Sequence, residues 1–337
     1  MSDALDNNSL AFFGIGSAMR KRAWLRRVGL GLLLLGAACG WFFWWCLPGT
    51  HNVSQDTELP VRFVQDLIYA VPVTREGTEL KLLTDTGGGL FLSQDCAKRC
   101  GLKPVSVFGT KLTRLPVFRA DAWIPEATGA EKWMPLGSVG NDGMLGQRWF
   151  AGGVWTFDYP ARKLVLRRPL YAPPPEAASH AAPLGFRQKW GIRIANHPGF
   201  AVRIAGQRVD ALLDTGATVW LSPEAQRIIN DAGPAERATS FVSGDLFERW
   251  RRDHPEWRVI EKGCQKTGEA MMEVPEVEVA GWKAGPVWFT RRPPGSFKWM
   301  SSFMDRPIAA SIGGNFLRFF RITIDYPAAA AYFERPK

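Results

Sequence analysis

The sequence predicts an all-β protein of two pseudo-symmetric β-barrel lobes with short helices, preceded by one transmembrane helix. Three observations carry that prediction: an uncharged run near the N-terminus, an internal repeat that spans most of the remaining chain, and apolar alternation inside the repeat. The 337 residues suffice for about two domains of roughly 100 to 200 residues each. A hydrophobic fraction of 46% and a charged fraction of 22% describe a folded chain with a core. They exclude a disordered tail, a collagen-like fibre and a small disulfide scaffold. The net charge is +10, and residues 51–337 still carry 37 basic against 30 acidic side chains. A basic body favours anionic partners without choosing among nucleic acid, anionic lipid and an acidic substrate.

Residues 1–27 form a basic N-terminus that ends in Arg20, Lys21, Arg22, Arg26 and Arg27. The next segment, Val28 to Leu47, has no charge in twenty residues, about the length that crosses the hydrocarbon core of a bilayer. With the basic cluster before it and none close behind, the positive-inside rule places the N-terminus in the cytoplasm and everything after about residue 48 outside. Trp41, Phe42, Phe43, Trp44 and Trp45 fit an aromatic belt at the outer interface. The alternative is a cleaved signal peptide, and Gly36-Ala37-Ala38-Cys39 faintly resembles a lipoprotein processing site with Gly36 in place of a Leu-like residue. The run is longer than a signal h-region, which favours an anchor that stays in place; either reading exports the body.

The exported part repeats. Val71 through Asp85-Thr86-Gly87 aligns with the stretch through Asp214-Thr215-Gly216 at an offset of 129, with Gly77 and Gly206 each eight residues before the aspartate. The register continues into Phe91-Leu92-Ser93 and Trp220-Leu221-Ser222. A second block repeats at an offset of 167: Leu145-Gly146 through Asp158-Tyr159-Pro160 against Ile312-Gly313 through Asp325-Tyr326-Pro327. The repeat delimits a first lobe over 60–166, a second over 184–335, and a Pro- and Ala-rich linker without periodicity over 167–183. The second half is about 38 residues longer between the blocks, which places an insertion within 233–306.

Within each copy the local pattern is β-rich. Val202, Ile204, Val209, Ala211 and Leu213 alternate about Ala205-Gly206, as in a hairpin with one buried face. Ser93 and Ser222 stand where a helix N-cap belongs, and Pro223 suits a first helical position, so a short helix is expected after each. Asp158 and Asp325 read as strand-ending turn residues, and Tyr159 and Tyr326 as packing residues. The stretch 245–258 puts Leu246, Phe247 and Trp250 on one side of a helix beside Arg249, Arg251 and Arg252. It reads either as a surface helix covering its own lobe, which we favour, or as a basic element on lipid headgroups or the cleft rim.

Cys39 and Cys46 lie in the apolar run, which leaves Cys96, Cys100 and Cys264. An oxidising compartment would permit a bridge from Cys264 to either of the others, whereas Cys96 to Cys100 across one helical turn is geometrically doubtful. His51, His180, His197 and His254 are far apart and show no metal-ligand spacing.

The two Asp-Thr-Gly tripeptides carry the chemistry. A given tripeptide occurs by chance in a chain of this length roughly once in twenty-five, so one would be weak. Two at matched positions, each after an apolar strand end (Leu82-Leu83 and Leu212-Leu213) and each followed by an apolar-Gly block, are not. In Ala211-Leu-Leu-Asp-Thr-Gly-Ala217 and Asp142-Gly-Met-Leu-Gly146 the chain resembles the aspartic peptidases, and more closely their retropepsin-like branch, in a fused two-lobed form. The resemblance spans roughly 60–166 and 184–335. It implies a catalytic pair of Asp85 and Asp214, with Thr86, Gly87, Thr215 and Gly216 supporting the dyad. It implies a polypeptide substrate, no metal and no cofactor, and one chain sufficient as a monomer.

Two carboxylates about 3 Å apart cannot both ionise, so they share a proton, one acting as base and one as acid on a water between them. The segments Met144-Leu145-Gly146 and Ser311-Ile312-Gly313 thread beside the loops in this family, and Ser311 departs mildly at the first position. Members often carry Ser or Thr directly after the tripeptide to stabilise the charged carboxylate; here Gly88 and Ala217 stand there. With no hydroxyl at either place, the dyad is expected to titrate higher and to act at mildly acidic to near-neutral pH. A flap is expected within Val105–Leu136, with Gly109 or Gly129 at its tip.

The expected function is a single-pass, membrane-anchored aspartic endopeptidase acting on envelope or membrane-proximal proteins. The alternative is an inactive peptide-binding module of the same fold. High Ala, Arg, Gly and Trp content points to a GC-rich bacterial source, hence an inner-membrane anchor and a periplasmic body. No nucleic-acid motif accompanies the charge, so no nucleic-acid partner is expected.

Overall fold

The computed structural model describes residues 29–33, 36–37, 40, 51, 53–126, 132–137, 140–230 and 232–335. The chain divides after Leu47 into two units. In the first unit the described residues are helical, and most of the expected span Val28–Leu47 lies outside them. Among the described residues no helix is long and apolar enough to cross a membrane. The second unit, Pro48–Lys337, is mostly β with a few short helices.

Two large sheets carry the repeat. From one edge, the eight-stranded sheet runs Val61–Val64, Leu67–Ala70, Leu82–Thr84, Gly143–Leu145, Phe91–Ser93, Met134–Gly137, Thr110–Thr113, Val105–Val107. The nine-stranded sheet begins with the hairpin Trp282–Ala284 and Val277–Val279. It then runs Gly199–Ile204, Gln207–Leu213, Ala310–Ile312, Ser240–Val242, Val287–Arg291, Met271–Val274, Val259–Ile260. From the second strand of the first sheet and the third of the second, seven strands correspond in order. Their pairing senses also agree, with the Asp-Thr-Gly strand parallel to its apolar-Gly partner in both halves. The expected barrel lobes are not what forms: among the described residues both sheets are open, with unpaired edge strands and no ladder that closes on itself.

A six-stranded sheet joins the halves through Val154–Asp158 and Arg321–Asp325, paired antiparallel about Thr156 and Thr323. Those two residues are equivalent in the repeat, and their hydroxyls hydrogen-bond at 2.8 Å. The pseudo-twofold axis therefore passes between them. At the ends of these strands Asp158 and Asp325 accept N–H bonds from Ala161 and Ala328, and Tyr159 and Tyr326 are buried. The segment expected as a plain linker contributes a helix, Pro175–Ser179, and an edge strand, Ala181–Pro183, paired with Ala330–Glu334.

The short helices follow their caps. Ser93 accepts from the Cys96 N–H at the start of Gln94–Arg99, and Ser222 accepts from the Ala225 N–H at the start of Pro223–Ile229. The alignment of Trp220-Leu221-Ser222 with Phe91-Leu92-Ser93 nevertheless fails in the sheet. Phe91 pairs with Met144 in the first half, and it is Phe241 that pairs with Ser311 in the second. Ser243 then caps a helix, Gly244–Asp253, as Ser93 does. The excess length is thus not one insertion within 233–306. It begins at Thr218–Ala238, where a two-stranded ribbon and Pro223–Ile229 intervene before the chain rejoins the repeat at Phe241.

Leu246, Phe247 and Trp250 of Gly244–Asp253 are buried in the main core, so this helix covers its own half. Cys96, Cys100 and Cys264 are all unbridged; Cys96 and Cys100 sit one turn apart, and Cys39 and Cys46 lie outside the described residues.

Candidate active site

Each Asp-Thr-Gly loop leaves the end of a buried strand, Leu82–Thr84 or Gln207–Leu213. Each is tied to its parallel neighbour by one equivalent bond: the Asp85 N–H donates to the Leu145 carbonyl and the Asp214 N–H to the Ile312 carbonyl, both at 3.0 Å. The loops then meet across the pseudo-twofold axis. The Thr86 N–H donates to Thr215 Oγ1 and the Thr215 N–H to Thr86 Oγ1, both at 3.1 Å. The two hydroxyls in turn donate across to the opposite strand ends, Thr86 to the Leu213 carbonyl at 2.6 Å and Thr215 to the Thr84 carbonyl at 2.9 Å. Four buried bonds lock the two loops together.

This brace brings Asp85 and Asp214 into one pair, each 7% exposed. The glycines allow it. A Cβ on Gly87 would lie 2.8 Å from the Asp214 carboxyl carbon, and one on Gly216 would strike Asp85. Gly88 answers a steric demand too, because a Cβ there would collide with Asp85 Oδ2 and the sulfur of Met144. All six residues expected from sequence, Asp85, Thr86, Gly87, Asp214, Thr215 and Gly216, therefore lie at one place in the structure.

The two carboxylates are not equivalent. Gly87 and Gly216 N–H groups donate to Oδ1 of Asp85 and Asp214 at 2.9 and 3.2 Å. Asp214 also has a side-chain donor: the Ser311 hydroxyl reaches its Oδ2 at 2.6 Å. The position equivalent to Ser311 in the first half is Met144, which has no donor. Burial, then the adjacent Asp214 charge and the hydrogen bond the pair shares, hold Asp85 well above the usual carboxylate range, against the opposing Gly87 and Gly88 N–H groups. Gly88 and Ala217 supply no hydroxyl, and the one that serves the dyad comes from the apolar-Gly segment rather than from the residue after the tripeptide. Sequence offered one signal for it, the departure of Ser311 from the apolar pattern.

The pair lies in a cavity of about 700 Å³. One wall is apolar and comes from Ser296–Ser301 and the turn beyond, with Trp299, Met300, Phe303 and Met304 facing the cavity and Trp299 67% exposed. Trp220, Glu236, Lys266 and Arg292 line it as well. His197 also lines it, pushed down to about 4 by burial, so it is neutral in mild acid and above. The hairpin expected as a flap exists as Val105–Val107 and Thr110–Thr113, turning at Phe108 and Gly109 with positive φ. Among the described residues lining the cavity none comes from that hairpin, and Gly129 lies outside the described residues. Among the described residues no group of three or more His, Cys, Asp and Glu is placed to hold a metal.

No protein-family model matches the chain, and no curated protein matches it. Among solved structures it is similar to an aspartic proteinase from Irpex lacteus, with a TM-score of 0.45 and 11% identity, over 84% of this chain and 98% of that one.

Proposed function

We propose that the chain is an aspartic endopeptidase. The observation that carries the reading is the reciprocal Thr86–Thr215 brace, which holds two buried carboxylates side by side in a cavity large enough for several peptide residues.

The pair shares one proton, and the Ser311 hydroxyl donated to Asp214 favours the proton on Asp85 and the charge on Asp214. A water between them loses a proton to Asp214 as its oxygen adds to the peptide carbonyl carbon, and Asp85 gives its proton to the carbonyl oxygen. The tetrahedral species then collapses: a hydroxyl proton returns to Asp85, the Asp214 proton goes to the departing nitrogen, and the C–N bond breaks. The dyad ends as it began. Trp299, Met300 and Phe303 offer apolar surface to side chains flanking the scissile bond.

The test uses the full chain in detergent on a diverse peptide library from pH 3 to 8, beside Asp85→Asn and Asp214→Asn. Cleavage abolished by either substitution supports the reading. Binding of peptides without any cleavage by the folded chain would instead make it a peptide-binding module.

The uncharged run Val28–Leu47 behind a basic cluster supports an uncleaved anchor, and with it a single-pass inner-membrane protein with a periplasmic body. Such an anchor would confine cleavage to envelope or membrane-proximal proteins. Carbonate-resistant membrane association, with the body digested by protease only from the periplasmic side, is the expected outcome.

A further inference from the structure

Arg291 and Arg292 are adjacent in sequence and opposite in circumstance. Arg291, the last residue of Val287–Arg291, pairs with Glu269 at 2.6 Å and Glu248 at 2.8 Å. Arg292 lines the dyad cavity, its backbone N–H bonded to the Val242 carbonyl, and among the described residues its guanidinium has neither ion pair nor hydrogen bond. Its Nε is buried and unpartnered. The group rests 3.5 Å over the ring of Phe241. Phe241 pairs in register with Ser311, and Ser311 holds Asp214. A short chain of contacts thus sets an unpaired cation on the Asp214 side of the cavity.

Such a placement is costly, because a partly buried charge without a hydrogen-bonded counter-ion loses hydration that a more distant anion only partly offsets. Burial pulls the Arg292 pKa down and the Asp214 charge holds it up. Of the other charged groups lining the cavity, Lys266 lies over the ring of Trp220. His197 is neutral above mild acid. The cavity therefore presents a fixed, planar donor fork to whatever lies against the dyad, and stacking on Phe241 pre-organises it.

We propose that Arg292 is the receptor for a carboxylate of the peptide substrate, so that the cleft selects peptides bearing an anion beside the scissile bond. This rests on the peptidase reading for the identity of the ligand. The carboxylate comes either from an acidic side chain or from the C-terminus of the peptide; a guanidinium fork accepts both in the same bidentate way.

The experiment uses the full chain in detergent and four peptides of one sequence, with Glu or Gln at the internal position and a free or amidated C-terminus. Cleavage is read as kcat/KM on the wild type, and binding by fluorescence anisotropy on Asp85→Asn. One of the two carboxylates should improve kcat/KM or affinity by about tenfold to a hundredfold over its neutral counterpart, and which one identifies the source. Arg292→Gln should bring that ratio to about one, and Arg292→Lys should leave an intermediate ratio because the fork is lost but the charge stays. General damage to the fold would lower all four peptides alike and leave the ratio intact. Equal handling of the four peptides by the wild type, or a wild-type ratio in Arg292→Gln, would overturn the inference while leaving the peptidase standing. Carboxylate-dependent binding lost in Arg292→Gln, without cleavage of any peptide, would uphold Arg292 and overturn the peptidase. Absence of both binding and cleavage would overturn both.

Discussion

The hydroxyl of Ser311 donates a 2.6 Å hydrogen bond to Oδ2 of Asp214, while the equivalent position beside Asp85 holds the thioether of Met144. One residue thereby breaks the twofold symmetry of the dyad and assigns the charge to Asp214. Ser311 is a positioning residue that acts through that carboxylate. A hydrogen bond to a charged group contributes about 1.5–3 kcal/mol, so Ser311→Ala should lower kcat by roughly tenfold to a hundredfold. The acid limb of the pH–rate profile should move to higher pH, because the charged form of the dyad loses a donor. Ser311→Thr should restore both. A lower kcat with an unmoved acid limb would mean that Ser311 only packs.

Asp85 gives a prediction about stability as well as rate. Its folded pKa is raised, chiefly by burial and next by the Asp214 charge, so the folded state binds this proton more tightly than the unfolded chain. The stability it contributes is fully present below the ordinary carboxylate pKa and is lost as pH rises through the folded value. Asp85→Asn removes that dependence. It should abolish cleavage and raise stability at pH 7, by on the order of 1 kcal/mol, with the gain shrinking toward pH 4. Paired melting curves at the two pH values check it. The same raised pKa predicts a rate maximum in mildly acidic to near-neutral solution; a maximum below about pH 3 would overturn that.

The brace predicts a coupling. Thr86→Val leaves the Leu213 carbonyl and the Thr215 N–H without their partner, and Thr215→Val does the same to the Thr84 carbonyl and the Thr86 N–H. Each should cost about 1–3 kcal/mol, as expected for orphaned buried polar groups. Because each hydroxyl also receives a bond from the opposite loop, the double variant should cost less than the two singles added together. Denaturant unfolding of the three variants measures this; strict additivity would show the loops to be independent.

The parts of the site legible in sequence were those whose geometry is repeated. Asp85 and Asp214, with their threonines and glycines, occur at one offset and meet across one axis. The features that escaped are set by pairing between distant strands. Trp220-Leu221-Ser222 and Phe241-Val242-Ser243 share an apolar-apolar-Ser pattern, and both serines cap a helix. Only the second segment docks against Ala310–Ile312, and no local preference distinguishes them. Open sheets in place of barrels escaped for the same reason, since closure depends on which edges pair. Gly88 looked like a lost hydroxyl and is instead the residue that leaves space for Met144. Arg292 carries no motif at all, and what singles it out is visible only in the structure, a buried Nε without a hydrogen-bond partner beside the dyad.

The helix Gly244–Asp253 separates packing from charge in one element. Leu246, Phe247 and Trp250 are buried, with Trp250 edge-on to Phe289 at 5.5 Å between ring centres. With its apolar face spent on the core, it has no apolar stripe left for a lipid surface, and its arginines face outward. Trp250→Ala should therefore destabilise the fold by about 3–5 kcal/mol through the cavity it leaves. Arg249→Glu with Arg252→Glu should shift stability by no more than about 0.5 kcal/mol. If the helix touched anionic headgroups, the same pair of reversals would weaken binding to phosphatidylserine vesicles steeply at low salt. Packing on its own half predicts vesicle binding equal to that of the parent chain, and a steep loss would return the helix to the membrane.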